Sequence, residues 1–226
     1  MKLASHIDHL VVAARTLEQG VQWCEATLGV TPRAGGKHPL MGTHNRLVQL
    51  SSPGYPRTYL EIIAIDPNAA PPGRSRWFDL DNPALQHAIE GQPRLIHFVA
   101  RSDNAASALQ ALRRLGIERG LLVHAERPTP EGMLRWQISV RNDGQRLFYG
   151  ALPTLIQWDD VHPADAIPGS GLALQSLHAC HPRVADLQAA HVAIGLHGIT
   201  LEQGSPNLIA TLATPKGRVV LESKGS

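Results

Sequence analysis

At 226 residues, 43% of them hydrophobic, the chain has room for one large or two small units with a substantial core. A net charge of +2, with no basic run and no aromatic-basic stripe, argues against a nucleic-acid partner. No apolar run approaches the roughly 20 residues of a membrane span and Met1–His6 has no leader-like stretch, so a soluble, cytoplasmic protein is expected.

The first element is a strand, Ile7 to Ala13, apolar except for Asp8 and His9. Thr16 is placed to cap a helix whose apolar face is Leu17, Val21, Cys24 and Leu28, and Gly29 is placed to end it. Ala34 to Gly42 reads as a loop, with an uncertain short strand near Thr31–Arg33 before it. Asn45 to Leu50 and Thr58 to Ile65 read as strands joined through Ser51–Gly54. Asp66 to Pro93 is a Pro- and Gly-rich connector in which Trp77, Phe78 and Leu80 are too apolar for solvent. Leu85, Ala88 and Ile89 suggest a short helix there.

The same order then recurs. Leu95 to Arg101 is a strand with His97, and Leu109, Leu112 and Leu115 stripe a helix. Leu121–Val123 reads as a strand. Leu134–Val140 and Gln145–Ala151 read as strands around the turn Asn142-Asp143-Gly144, and Thr154–Trp158 follows. After a linker at Val161–Gly171 comes a third copy. It has a strand through His178, a helix facing inward at Val184, Leu187, Ala190 and Ile194, a strand Ile199–Glu202, and a hairpin of Leu208–Ala213 with Arg218–Glu222. A repeated strand, helix and strands means a fold assembled from copies of one supersecondary unit. The expected division is a paired domain over 1–160 (units 1–67 and 93–160) and a third unit over 161–226. Cys24 and Cys180, in no CxxC pattern, read as free thiols of a reducing compartment.

Each copy opens on a strand histidine and closes on a strand carboxylate or amide: Glu61, Gln157, Glu222. A carboxylate in a strand as apolar as Tyr59-Leu60-Glu61-Ile62-Ile63 costs several kcal/mol to bury unless it is paired or metal-bound. Strand alternation puts His9 with Val11 on one face and Glu61 with Tyr59 on one face. Two units closed by a pseudo-twofold would bring His9, Glu61, His97 and Gln157 together. Imidazole and carboxylate donors suit Zn, Fe, Ni or Mn without selecting among them. A lone histidine on an apolar strand is also a common core residue, and a repeat preserves a packing solution as readily as a ligand. His178 and Glu222 read as structural or dimer-facing.

The stretches Ile7-Asp8-His9-Leu10-Val11-Val12, Gly42-Thr43-His44-Asn45, Tyr59-Leu60-Glu61-Ile62-Ile63-Ala64, Pro153-Thr154-Leu155-Ile156-Gln157-Trp158 and His162-Pro163-Ala164 resemble the vicinal oxygen chelate superfamily. More narrowly they resemble its glyoxalase-like family with an extra unit. The resemblance implies an α+β fold: tandem βαβββ units forming a half-open curved sheet of the glyoxalase, bleomycin-resistance and extradiol-dioxygenase type, plus a third related unit. It also implies a divalent metal held by His9, Glu61, His97 and Gln157, with Glu61 catalytic. The implied activity is that of a metal-dependent lyase, isomerase or dioxygenase acting on a small oxygen-chelating metabolite. A metal-free small-molecule binding protein is the alternative. Gln157 departs from the two-glutamate pattern of glyoxalase activity, because an amide cannot accept the proton. His44 and Asn45 are candidates to hydrogen-bond substrate. Trp136 and Tyr149 are candidates for an apolar wall as well as for core packing. A homodimer is expected if the third unit leaves an apolar sheet face uncovered.

Overall fold

The computed structural model describes residues 3–129 and 132–225. Strand β1 (Ser5–Ala13) leads into α1 (Leu17–Leu28). Thr16 accepts a hydrogen bond from the Gln19 amide at 3.1 Å, and Gly29 ends the helix in the left-handed conformation, so both sequence signals hold. Then come β2 (Arg33–His38), β3 (Thr43–Gln49) and β4 (Tyr59–Ile65). The connector contains a left-handed turn at Trp77–Asp79 and α2 (Pro83–Ala88). The second unit is β5 (Arg94–Ser102), α3 (Ala105–Arg114), β6 (Leu121–Thr129), β7 (Gly132–Val140) and β8 (Thr154–Trp158). After α4 (Pro163–Ala166), the third unit is β9 (Ala173–Cys180), α5 (Val184–Ala193), β10 (Thr200–Glu202), β11 (Asn207–Thr214) and β12 (Gly217–Glu222).

Eight strands form one curled sheet in the order β2-β3-β4-β1-β5-β8-β7-β6. In each of the first two units the opening strand pairs parallel with the closing one, β1 with β4 and β5 with β8. The antiparallel β1–β5 pair joins the units at the centre. This is the paired βαβββ architecture expected from the sequence. The third unit makes its own sheet, β10-β9-β11-β12. It keeps the order of elements along the chain but not the pairing, because its closing strand lies beside β11 and not beside β9.

The helix-bearing face of the large sheet and the small sheet share one apolar core. Leu10, Leu60, Phe98, Leu109 and Leu112 pack in the same cluster as Leu174, Leu177, Leu187, Leu208 and Leu212. The apolar face of the third unit is therefore covered by the chain itself, which removes the physical reason for expecting a dimer. The opposite, concave face holds Val11, Ile63, Ile96, Val99, Ile138 and Ile156 beneath Trp77, Phe78, Leu80 and Leu85 of the connector.

Three local expectations change. The segment expected as a loop at 34–42 is in part an edge strand, β2, bulged between Ala34 and Lys37. Gly35 and Gly36 belong to that bulge, and this is why the segment reads as loop. Gln145–Ala151 is not a strand. The turn at Asn142–Gly144 forms, with Gly144 N–H donating to Arg141 O at 3.1 Å, but it leads into a left-handed turn at Phe148–Gly150. Leu115 is 46% exposed, just past the end of α3. Cys24 is buried and Cys180 half-buried; both are free thiols, and burial pushes Cys24 up to about 12. Among the described residues no helix is long and apolar enough to cross a membrane.

Candidate functional site

The site starts from an irregularity in β1. Ile7 pairs with Ala100 and His9 with Val99, so two residues of β1 face one of β5 and Asp8 is the extra one. The bulge lets neighbours in sequence meet: His9 Nδ1 lies 2.6 Å from Asp8 Oδ1. The other carboxylate oxygen, Asp8 Oδ2, accepts from Trp158 Nε1 at 3.0 Å and from His162 Nε2 at 2.9 Å. His162 Nδ1 accepts the Ala164 amide at 3.1 Å, so the ring proton sits on Nε2 and points at Asp8. Asp8 is fully buried. Burial alone would raise its carboxyl, but the hydrogen bonds from His162 and His9 outweigh it and hold the group well below the usual carboxylate range.

On the far side of the imidazole stands Glu61. The parallel β1–β4 register sets Glu61 opposite Val11, so His9 and Glu61 share the concave face. His9 Nε2 and Glu61 Oε2 are 3.6 Å apart, beyond hydrogen-bond length. Both residues are buried, and Tyr59 stacks on the His9 ring at 4.6 Å. Glu61 Oε1 accepts from Asn45 Nδ2 at 2.5 Å. The amide orientation is fixed because Asn45 Oδ1 accepts the Gly36 N–H at 2.7 Å. A Cβ at Gly35 would come within 2.0 Å of that same Oδ1, so glycine is what leaves Asn45 its place. Asp8 thus pins one end of His9 and Asn45 pins one end of Glu61. The free ends, Nε2 and Oε2, face each other.

The second unit does not add ligands to this cluster. His97 Nδ1 donates to Gly150 O at 2.9 Å, and His97 Nε2 accepts the Thr154 amide at 3.1 Å. Both nitrogens are spent in the core, under Phe78 at 5.2 Å. Burial pushes His97 well below the ordinary histidine range, with the cationic Arg119 and Arg146 adding to it. The pairing also reassigns the counterpart of Glu61. Glu61 lies opposite Val11, two residues after His9; the residue opposite Val99, two after His97, is Thr154. Gln157 is three positions further on and so on the other face. Its Oε1 accepts the Ala105 amide at 3.0 Å, at the start of α3. Arg119, also buried, donates to Pro153 O at 2.9 Å and to Thr154 Oγ1. The second half-site is a closed, hydrogen-bonded copy of the first.

The remaining expected residues divide. Asn45 and Trp136 line a hollow that also takes in His9, Glu61 and Trp158. His44 is on β3 next to Asn45 and so on the opposite face; its nearest acid, Asp66, is 4.0 Å away. Burial pushes His44 down, only partly opposed by Asp66. Tyr149 is 55% exposed and sits beside His181, not in the hollow. His178 and Glu222 lie in the small sheet. Sequence reasoning gave no functional role to Asp8, Trp158, His162, His38 or Arg127, and only a packing role to Trp77. The signal for Asp8 was present, as an acid beside a histidine in an otherwise apolar strand. His162 falls in the segment 161–171, which reads as a linker, so its sequence context carries no mark of a buried ring.

The hollow lies between the two units. One side is His38, Asn45, Leu47, Tyr59 and Glu61 with His9; the other is Arg127, Leu134, Trp136, Ile138, Ile156 and Trp158. The inner part encloses about 40 Å³. It adjoins an outer hollow of about 120 Å³, for Leu47, Arg127, Leu134 and Pro163 line both.

A glyoxalase-like domain model matches residues 7–195, most of the chain. The protein belongs to the glyoxalase-like domain family. No curated protein matches the sequence. Among solved structures, a hypothetical protein from Staphylococcus aureus aligns with a TM-score of 0.60 at 13% identity, covering 96% of this chain and 85% of its own. That likeness shows a shared fold. Methylmalonyl-CoA epimerase from Mycobacterium tuberculosis aligns at a TM-score of 0.40 and 16% identity, covering 71% of this chain and 91% of its own.

For a member of this glyoxalase-like family, the donor set is short. Among the described residues no group of three or more His, Cys, Asp or Glu side chains converges as a metal site. Beside the hollow the unspent donors are His9 Nε2 and Glu61 Oε2, whereas a catalytic zinc site takes about three protein ligands. Two of the four expected ligands, His97 and Gln157, are committed elsewhere. These residues do not fit the expected four-ligand centre.

Proposed function

We propose that this glyoxalase-like protein binds a small oxygen-bearing metabolite in the hollow and moves a proton on it, as an isomerase does, with Glu61 and His9 as the proton-handling pair. One observation carries the reading. Two buried acid-base groups have their outer atoms pinned, by Asp8 and by Asn45, and their inner atoms 3.6 Å apart without a hydrogen bond between them. A positioned acid-base group contributes roughly 10²–10⁴-fold to a proton transfer. In the proposed step Glu61 Oε2 takes a proton from the carbon or hydroxyl of the substrate. The proton then returns to another position from Glu61 or through His9 Nε2, so substrate and product differ only in where it sits. Glu61 does double duty only if it stays dry, and Tyr59, Trp136, Trp158 and Phe78 wall the hollow.

A second reading, metal-free binding without catalysis, is favoured by the aromatic walls and the short donor set. Proton NMR in D2O separates the two. With a panel of small hydroxy and oxo acids, the proton-transfer reading expects deuterium to enter at one carbon with wild-type protein and not with Glu61→Gln. Binding of the panel without exchange by wild type would overturn it in favour of a carrier.

A further inference from the structure

The hollow holds more hydrogen-bond donors than its own acceptors satisfy. Trp77 lines it and is 8% exposed, yet its indole N–H has no partner. Such a buried donor is costly and rare, and it marks where an outside acceptor belongs. Arg127, on β6, lines both the inner and the outer hollow. Among the described residues no ion pair or hydrogen bond engages its guanidinium, and Glu61 is bonded to Asn45 instead. A Cβ at Gly36 would stand 2.2 Å from Arg127 Nη1, so the β2 bulge that seats Asn45 also seats the arginine. The other charge-bearing groups of the hollow are spoken for. Asp8, behind His9, accepts three donors, and burial pushes His38 down to about 4, leaving it neutral near pH 7. Arg33 lines the outer hollow and donates to Ala166 O.

We propose that Arg127 and the Trp77 indole N–H form an anion subsite for the carboxylate of a small 2-hydroxy or 2-oxo acid. The inference rests on the hollow being the substrate site. A planar guanidinium fork matches a planar carboxylate. The acceptors left unbonded are His9 Nε2 and Glu61 Oε2, so the carbons next to the carboxylate must bring a hydroxyl, as at C2 of a 2-hydroxy acid, or an acidic C–H, as at C3 of a 2-oxo acid. The remainder of the molecule extends into the outer hollow.

Three of the four tryptophans line the hollow, so intrinsic fluorescence reports its occupancy. Full-length protein is titrated with L-lactate and pyruvate, with lactamide as the neutral analogue, and with inorganic phosphate. The expected result is saturable quenching by an acid and binding of lactamide at least about tenfold weaker. Arg127→Gln should weaken the acid about tenfold or more without changing lactamide, Arg127→Lys should recover part of the loss, and Trp77→Phe should weaken the acid several-fold. Equal binding of acid and amide, no effect of Arg127→Gln in a folded variant, phosphate binding as tightly as lactate, or no binding of either acid would each overturn the subsite. Arg127-dependent binding of lactate without any proton exchange would leave the subsite standing while the proton-transfer reading falls.

Discussion

Replacing Asp8 by alanine tests whether the buried polar array is organised around that carboxylate. Asp8 accepts from three buried donors, on His9, Trp158 and His162, at 2.6 to 3.0 Å. Asp8→Ala strands all three, at about 1–3 kcal/mol for each unsatisfied group. Removing the buried charge recovers part of this, leaving a net loss of about 3–5 kcal/mol. For a chain of this size that lowers Tm by roughly 2–4 °C per kcal/mol, or about 6–20 °C. Glu61→Gln is the control. Glu61 accepts one hydrogen bond, from Asn45, and faces His9 across an open gap, so the amide should cost less than about 1 kcal/mol. Urea denaturation of both variants at pH 7 gives the comparison. The sign with pH follows from the lowered Asp8 carboxyl: its contribution is present above the ordinary carboxylate range and is lost as pH falls through the folded-state value. The stability gap between wild type and Asp8→Ala should therefore narrow in acid. A loss under about 1 kcal/mol for Asp8→Ala, or a larger loss for Glu61→Gln, would refute this account of the array.

Other outcomes follow from the same geometry. His191 is buried against Ala151 O and burial pushes it down to about 4, so the folded state binds fewer protons than the unfolded one below the ordinary histidine value. Stability should fall between about pH 6.5 and 4, by up to about 3 kcal/mol from this residue, and His191→Gln should flatten that limb in thermal melts. Gly35→Ala drives a Cβ into Asn45, so proton exchange and acid binding should drop about tenfold while far-UV circular dichroism stays native. Gln157→Ala should cost about 0.5–2 kcal/mol by leaving the Ala105 amide at the start of α3 without its acceptor, and leave exchange unchanged, measured by denaturation and by NMR.

The paired units were legible because their apolar strands, capped helices and closing strands repeat, and because Thr16 and Gly29 obey local rules that tertiary structure does not override. His9 and Glu61 were legible as polar residues out of place in buried strands. What failed depended on register. A single residue of slip changes the face, so recognising Thr154 and not Gln157 as the counterpart of Glu61 needs the β5–β8 pairing itself. The Asp8 bulge arises between strands far apart in sequence and leaves no local mark beyond the acid. Arg127 sits in the alternating pattern of an exposed hairpin, where an arginine ordinarily points to solvent. The connector carried a correct signal in Trp77, Phe78 and Leu80, but not that Phe78 would cover His97.

The most direct measurement is proton exchange by protein stripped with a strong chelator and checked by elemental analysis. An acid-base pair of His9 and Glu61 predicts that stripped wild type incorporates deuterium from D2O into a small hydroxy or oxo acid at the untreated rate, and that Glu61→Gln does not. Exchange that vanishes on stripping and returns with a stoichiometric divalent ion would contradict it.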